Sequence, residues 1–145
     1  MKICVILPRG MTFSPNGATS IDLVAHDLML KSRHRGTSFM IGQATPEPFC
    51  DVDFRPVPSG KPLTMIQHMV SALRADKPDI IVVHQHPESA ARIAKSLPDL
   101  PVVLHRHGLL RHKHGFLSRW NKGRHFKPLA GIVFVSDYIK DDFFN

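Results

Sequence analysis

Four short runs constrain this chain more than anything else in it. They are Ile3-Cys4-Val5-Ile6-Leu7, Ile80-Ile81-Val82-Val83, Val102-Val103-Leu104 and Ile132-Val133-Phe134-Val135. Each is apolar throughout and rich in β-branched residues, which suits a strand. None alternates between apolar and polar positions, so both faces of each strand must be covered. An antiparallel sheet with one wet face is therefore a poor solution, and a parallel sheet between two helical layers is a good one.

The segments between these runs read as helices. Thr19-x-x-Asp22 resembles a capping box, with Asp in place of the usual Glu. Behind it Ile21, Val24, Ala25 and Leu28 fall at i, i+3, i+4 and i+7, which predicts one buried helical face. Arg33, His34 and Arg35 suit the negative end of that helix, and Gly36 suits the position just past it. Ser38 to Ile41 is expected to be a second strand. Thr45 to Lys61 contains four prolines and reads as an irregular excursion with a short edge strand over 54–57. Pro62 opens a helix with Leu63, Ile66, Val70 and Leu73 on one face, and Pro87 opens another with Ala90, Ile93, Ala94 and Leu97 inward. Phe116, Leu117 and Trp120 suggest a further helix, and a last one starts at Asp137. With right-handed crossovers, the expectation is a single domain. Its fold is a three-layer αβα, Rossmann-like, doubly wound parallel sheet.

At 145 residues the chain is long enough for one domain with a real core and short for two. Pro8 and Arg9 end the first apolar run before it reaches the length of a signal-peptide core, and no stretch approaches the ~20 apolar residues of a membrane span. Cys4 sits inside the first apolar run and reads as a buried small hydrophobe; with Cys50 it makes no disulfide framework. A cytoplasmic location is expected, including at the inner face of a membrane.

The formal charge of +7 is unevenly spread. Arg106, Arg111, Lys113, Arg119, Lys122, Arg124 and Lys127 fall in one stretch, with His107, His112, His114 and His125 among them and His105 just before. Nucleic acid, an anionic membrane surface and a phosphorylated substrate are all compatible with such a stretch, and so is a plain solvated face.

In an open parallel sheet, ligands bind beyond the carboxyl ends of the strands. Those ends deliver the loop from Gly10 to Gly17, then His84-Gln85-His86, His105-Arg106-His107-Gly108 and Ser136-Asp137. The first loop is placed to hold a phosphate at a helix amino terminus, or is simply a turn at Pro15-Asn16-Gly17. It carries neither G-x-G-x-x-G nor a G-x-x-x-x-G-K-[ST] phosphate loop. Gln43 stands where a dinucleotide-binding domain would place an acid, so a nicotinamide dehydrogenase is disfavoured. In each His-x-His pair, residues i and i+2 point the same way in an extended chain. Four converging imidazoles would make a transition-metal site, but no Cys, Asp or Glu accompanies them at ligand spacing. Acid–base or hydrogen-bonding roles fit better, since imidazole titrates near neutrality, and one of His84 and His105 reads as a plain loop residue following a buried strand. No metal and no cofactor are expected.

Taken in order, Asn16-Gly17-Ala18-Thr19-Ser20-Ile21-Asp22-Leu23-Val24, Lys77 to His86, Val102 to Gly108 and Ile132 to Ser136 resemble the amino-terminal domain of family-four GT-B glycosyltransferases. The resemblance covers nearly the whole chain. It implies an acceptor-binding domain of an enzyme that moves a sugar from a nucleotide-sugar to a saccharide or lipid-linked acceptor. It further implies that Asn16, Gly17 and Ala18 lie beside the donor diphosphate, although the family often has a Gly-Gly pair where this chain has Gly17-Ala18. His107 would hydrogen-bond the transferred sugar. His84, His86, Arg106, Arg111, Lys113 and Ser136 would line the acceptor or sugar side. The family grips its nucleotide with a carboxyl-terminal domain, so this chain alone is expected neither to bind the donor tightly nor to turn over. Two alternatives stand beside this reading. One is a nucleic-acid-binding module using Arg106 to Lys127; it has few aromatics for stacking, so no nucleic-acid partner is expected. The other is a metal-dependent hydrolase at the histidine pairs.

Overall fold

The computed structural model describes residues 1–109 and 126–144. Six strands, β1 (Ile3–Ile6), β2 (Phe39–Gln43), β3 (Phe54–Val57), β4 (Ile80–His84), β5 (Val102–Arg106) and β6 (Gly131–Phe134), form one sheet in the order β3-β2-β1-β4-β5-β6. Every neighbouring pair is parallel. The helices lying wholly among the described residues are α1 (Ser20–Lys31), α2 (Pro62–Asp76), α3 (Pro87–Ser96) and α4 (Asp137–Phe144), with a 3₁₀ turn at Arg35–Thr37. No helix among the described residues is long and apolar enough to cross a membrane.

Alternation along β1 explains the three layers, because successive side chains leave a strand on opposite faces. Cys4 and Ile6 enter a core shared with Phe39, Ile41, Ile81, Val83, Val102 and Leu104 and closed by Met69, Leu73, Ala90 and Ile93 of α2 and α3. Val5 and Leu7 enter a second core with Met40, Phe13, and Ala25 and Met29 of α1. Cys4 is wholly buried, as its place in the run predicts, and burial pushes its thiol pKa far up. The Thr19–Asp22 capping box forms, both residues contributing a side-chain acceptor.

Three helical expectations need correction. Of the face predicted for α1, only Ala25 is buried; Val24 is 41% and Leu28 53% exposed. The buried positions are Asp22, Ala25, His26 and Met29. The capping box turns Asp22 inward, and loop aromatics recruit His26: its ring stacks on Phe49 at 4.1 Å and meets Phe13 at 5.9 Å, while its Nε2 lies 2.7 Å from Asp51 Oδ1. The same helix stops at Lys31, and Gly36 lies in the 3₁₀ turn. In α2, Leu63 is exposed, and Met65 and Met69 join Ile66, Val70 and Leu73 instead. The inward set of α3 is as expected. The helix expected around Phe116, Leu117 and Trp120 lies outside the described residues.

The proline-rich excursion does hold an edge strand, β3, which is locked in place by Arg55. Its guanidinium pairs with Asp53 at 2.8 Å and Asp76 at 2.6 Å and stacks 3.8 Å from the centre of the Phe39 ring. Opposite it, Gly42 allows close approach: a Cβ there would lie 3.0 Å from both Leu7 Cδ1 and Phe54 Cε2.

Candidate functional site

Because all six strands run the same way, β1, β4, β5 and β6 deliver their following loops to one edge. The order reverses between β1 and β4, the position where open α/β sheets leave a crevice. Gly17, His86, His107 and Ser136 all follow strands that end there.

The centre of this edge is an imidazole cluster. His84, the last residue of β4, is 2% exposed. His105 and His107 leave β5 on the same side, as an i, i+2 pair in extended chain must. The ring centres of His84 and His107 are 4.9 Å apart and nearly stacked, and those of His105 and His107 are 4.3 Å apart. His107 Nε2 and His84 Nδ1 are 2.9 Å apart, so one donates a hydrogen bond to the other. Burial, reinforced by repulsion from the neighbouring imidazoles, lowers the His84 pKa to about 3. Burial, together with His105 and Arg106, lowers that of His107 to about 4. Burial also lowers His105. These rings are neutral at pH 7 and act as hydrogen-bonding groups.

Between the strands, Gln85 holds the cluster together. Its φ of 67° places it in the left-handed region, an uncommon state for a residue with a Cβ. A tight turn results, closed by His86 N–H to the His84 carbonyl at 2.8 Å. The Gln85 N–H donates to His105 O, and its side-chain Oε1 accepts from the His107 N–H at 3.1 Å. Strain of this kind persists only where the surroundings over-determine it. Here Arg106 does so. Only 3% exposed, it donates from Nη1 to the Gln85 carbonyl and from Nη2 to the Gly108 carbonyl. The guanidinium is thus engaged within the chain, clamping the ends of β4 and β5 together.

The remaining predicted residues fall as follows. Asn16 N–H donates to Ser14 Oγ, and the Gly17 and Ala18 N–H groups both donate to the Ser14 carbonyl, so this loop satisfies its own amides in a turn. His86 is half-buried and stands in the cap position at the start of α3; burial, Arg9 and Arg106 lower its pKa, and its Nε2 has no partner among the described residues. Ser136 is exposed, and its Oγ accepts the Ile139 N–H at the start of α4. Arg111 and Lys113 lie outside the described residues.

Two members of the cluster escape a reading by sequence. His105 is visible there only as half of a His-x-His pair, and the signal that it joins His84 is the register that sets the two side by side across β4 and β5. Nothing in the sequence marks Gln85. As to metals, His84, His105 and His107 offer nitrogens within 4.8 Å of one another and are the residues able to share an ion among those described.

The fold is similar to that of UDP-GlcNAc 2-epimerase from Methanocaldococcus jannaschii, with a TM-score of 0.55 at 13% identity over 99% of this chain. This chain spans 42% of that structure's length. No curated protein matches it. The family model for Glycosyltransferase Family 4 matches residues 26–145, which takes in β2 to α4 and the whole histidine cluster. With the six-stranded parallel sheet and its GT-B-fold neighbour, that match settles the family: the chain belongs to glycosyltransferase family 4 and folds as a GT-B-type domain.

Proposed function

We propose that this domain is the acceptor-side half of a glycosyltransferase and that His107 hydrogen-bonds the sugar being transferred from a nucleotide-sugar. The observation that carries this reading is the way His107 is held: a neutral imidazole, half-buried at the carboxyl edge, fixed at its Nε2 by His84 and at its backbone N–H by Gln85. A group positioned before the substrate arrives costs no reorganisation at the moment of reaction. The low pKa makes it a donor or acceptor of hydrogen bonds and a weak base near neutrality, so its role is positioning a hydroxyl.

The donor nucleotide is gripped by a second domain closing over this edge, and the domain alone does not turn over. Contact between the donor diphosphate and Asn16, Gly17 and Ala18 requires the turn on Ser14 to open. The acceptor is a saccharide or a lipid-linked saccharide, reached at the inner face of a membrane in the second case. Ser136 lies on the far side of the same rim. Transfer from nucleotide-sugars by the domain joined to a donor-binding partner domain tests this reading. Activity that falls at least about a hundredfold in His107→Ala supports it, and undiminished transfer in that variant defeats it.

One observation favours a second reading, metal-assisted hydrolysis: the three imidazoles near enough to share an ion. Elemental analysis of the purified chain decides it, since protein free of stoichiometric transition metal removes that chemistry.

A further inference from the structure

A second polar site opens at the same carboxyl edge of the sheet, at the start of the helices that follow β3 and β4. A cavity of about 580 Å³ lies between the amino-terminal turns of α2 and α3. Neither helix has a side-chain cap, since the residues in the cap positions, Lys61 and His86, make no capping bond. The first free helical N–H groups, those of Leu63 and Thr64 in α2 and Glu88 and Ser89 in α3, have no acceptor within their own helices. All four residues line the cavity. Two helix amino termini converging on one space place two partial positive charges there.

The side chains agree with the backbone. Arg9, in the loop after β1, lines the cavity, and its Nε is buried without a partner among the described residues. Ser89 is 4% exposed, lines the same cavity, and its Oγ is likewise buried and unpaired. A buried hydroxyl without a partner costs about 1–3 kcal/mol, so one on a residue that lines a polar cavity points to a ligand. Lys61 adds a second cation; the one carboxylate on the wall, Glu88, is tied to Arg92 at 3.2 Å.

We propose that this cavity binds a phosphate-bearing acceptor, its phosphate seated between the first turns of α2 and α3 against Arg9, Lys61 and the Ser89 hydroxyl. The volume exceeds what a phosphate alone fills and suits the body of a small ligand. Calling the anion the acceptor's rests on the transferase reading above; the binding of phosphate does not. The phosphate belongs either to a soluble phosphorylated molecule or to a lipid headgroup.

The test is an amide-resolved NMR titration of the chain with inorganic phosphate at constant ionic strength. It is paired with sedimentation against phosphatidylcholine vesicles with and without phosphatidic acid. Saturable shifts at Leu63, Thr64, Glu88 and Ser89 are expected. Affinity should be weaker by roughly tenfold or more in Arg9→Gln and by about threefold in Ser89→Ala. Shifts without vesicle capture identify a soluble source, and capture that needs both phosphatidic acid and Arg9 identifies a lipid. Shifts scattered over exposed lysines, absent shifts, or variants that bind like the parent overturn the proposal. His107→Ala separates the two readings: it should leave phosphate affinity unchanged while removing sugar transfer. Failure of one measurement therefore does not carry the other with it.

Discussion

His84 Nδ1 and His107 Nε2 stand 2.9 Å apart across two neighbouring strands, with the first ring buried and the second at the rim. The contact leaves only Nδ1 of His107 free to meet a ligand. His84 therefore fixes the orientation and tautomer of the His107 ring, and in the proposed reaction it would act through that contact as a positioning residue.

This pair makes stability depend on pH in a definite direction. A histidine whose folded pKa lies below 6.5 is protonated more readily in the unfolded chain, so stability is full above 6.5 and falls as pH drops toward the folded value. For His84 that window runs from 6.5 down to about 3, and within it one such group costs roughly 1.4 kcal/mol per pH unit. Urea midpoints should therefore fall between pH 6.5 and 4.5, above the range where Asp51 and Asp76 titrate, the first being lowered by its hydrogen bond to His26 and the second by that to Arg55. His84→Gln should flatten that slope.

Gln85 carries strain and a contact at once. In Gln85→Gly the left-handed backbone is relieved by ~1 kcal/mol, and the bond to the His107 N–H is lost at a similar cost. The expected result is a thermal midpoint within a few degrees of the parent, together with a marked fall in sugar transfer. A variant that keeps full transfer would show that the clasp on His107 is dispensable.

Replacing Arg106 by Lys keeps the charge and loses the fork. One ammonium cannot serve the Gln85 and Gly108 carbonyls in the same planar geometry. A buried carbonyl left unpaired costs ~1–3 kcal/mol. Denaturant unfolding should register that loss, and amide exchange should quicken at Gln85 and His107.

At Gly42 the cost is steric. An added methyl meets Leu7 and the Phe54 ring at 3.0 Å, so Gly42→Ala should destabilise by about 1–3 kcal/mol. The same change at Gly36 has open space around it and should be close to neutral.

The strands and their parallel arrangement were legible because the runs that form β1, β4 and β5 are apolar on both faces, a pattern with few other solutions. Helix α3 was legible for the same kind of reason: Ala90, Ile93 and Ala94 lie at helical spacing with no competing apolar face. Helix α1 and its capping box were legible too, but its buried face was not, because Leu23, Val24 and Leu28 make as good a stripe as the one that is buried. The choice between stripes was made by Phe13 and Phe49, which reach His26 from loops no periodicity describes. In the site, the edge was legible from parallel topology, and the place of His107 at it from the His-x-His pair that ends β5. Gln85 and the buried fork of Arg106 were not, since a left-handed turn between two histidines and a guanidinium folded back on carbonyls leave no mark on composition or spacing.

Pro56 sits on the outermost strand, where the N–H groups of alternate residues face away from β2. The N–H groups of Met40 in β2 and of Ala44 just past it donate to the carbonyls of Asp53 and Val57, which turns the nitrogens of Phe54 and Pro56 outward. The row of donors on that flank is therefore interrupted by an imide nitrogen with no hydrogen to give. A strand added on this flank would therefore find one donor fewer than a regular ladder offers, which blunts the edge against pairing with a second copy.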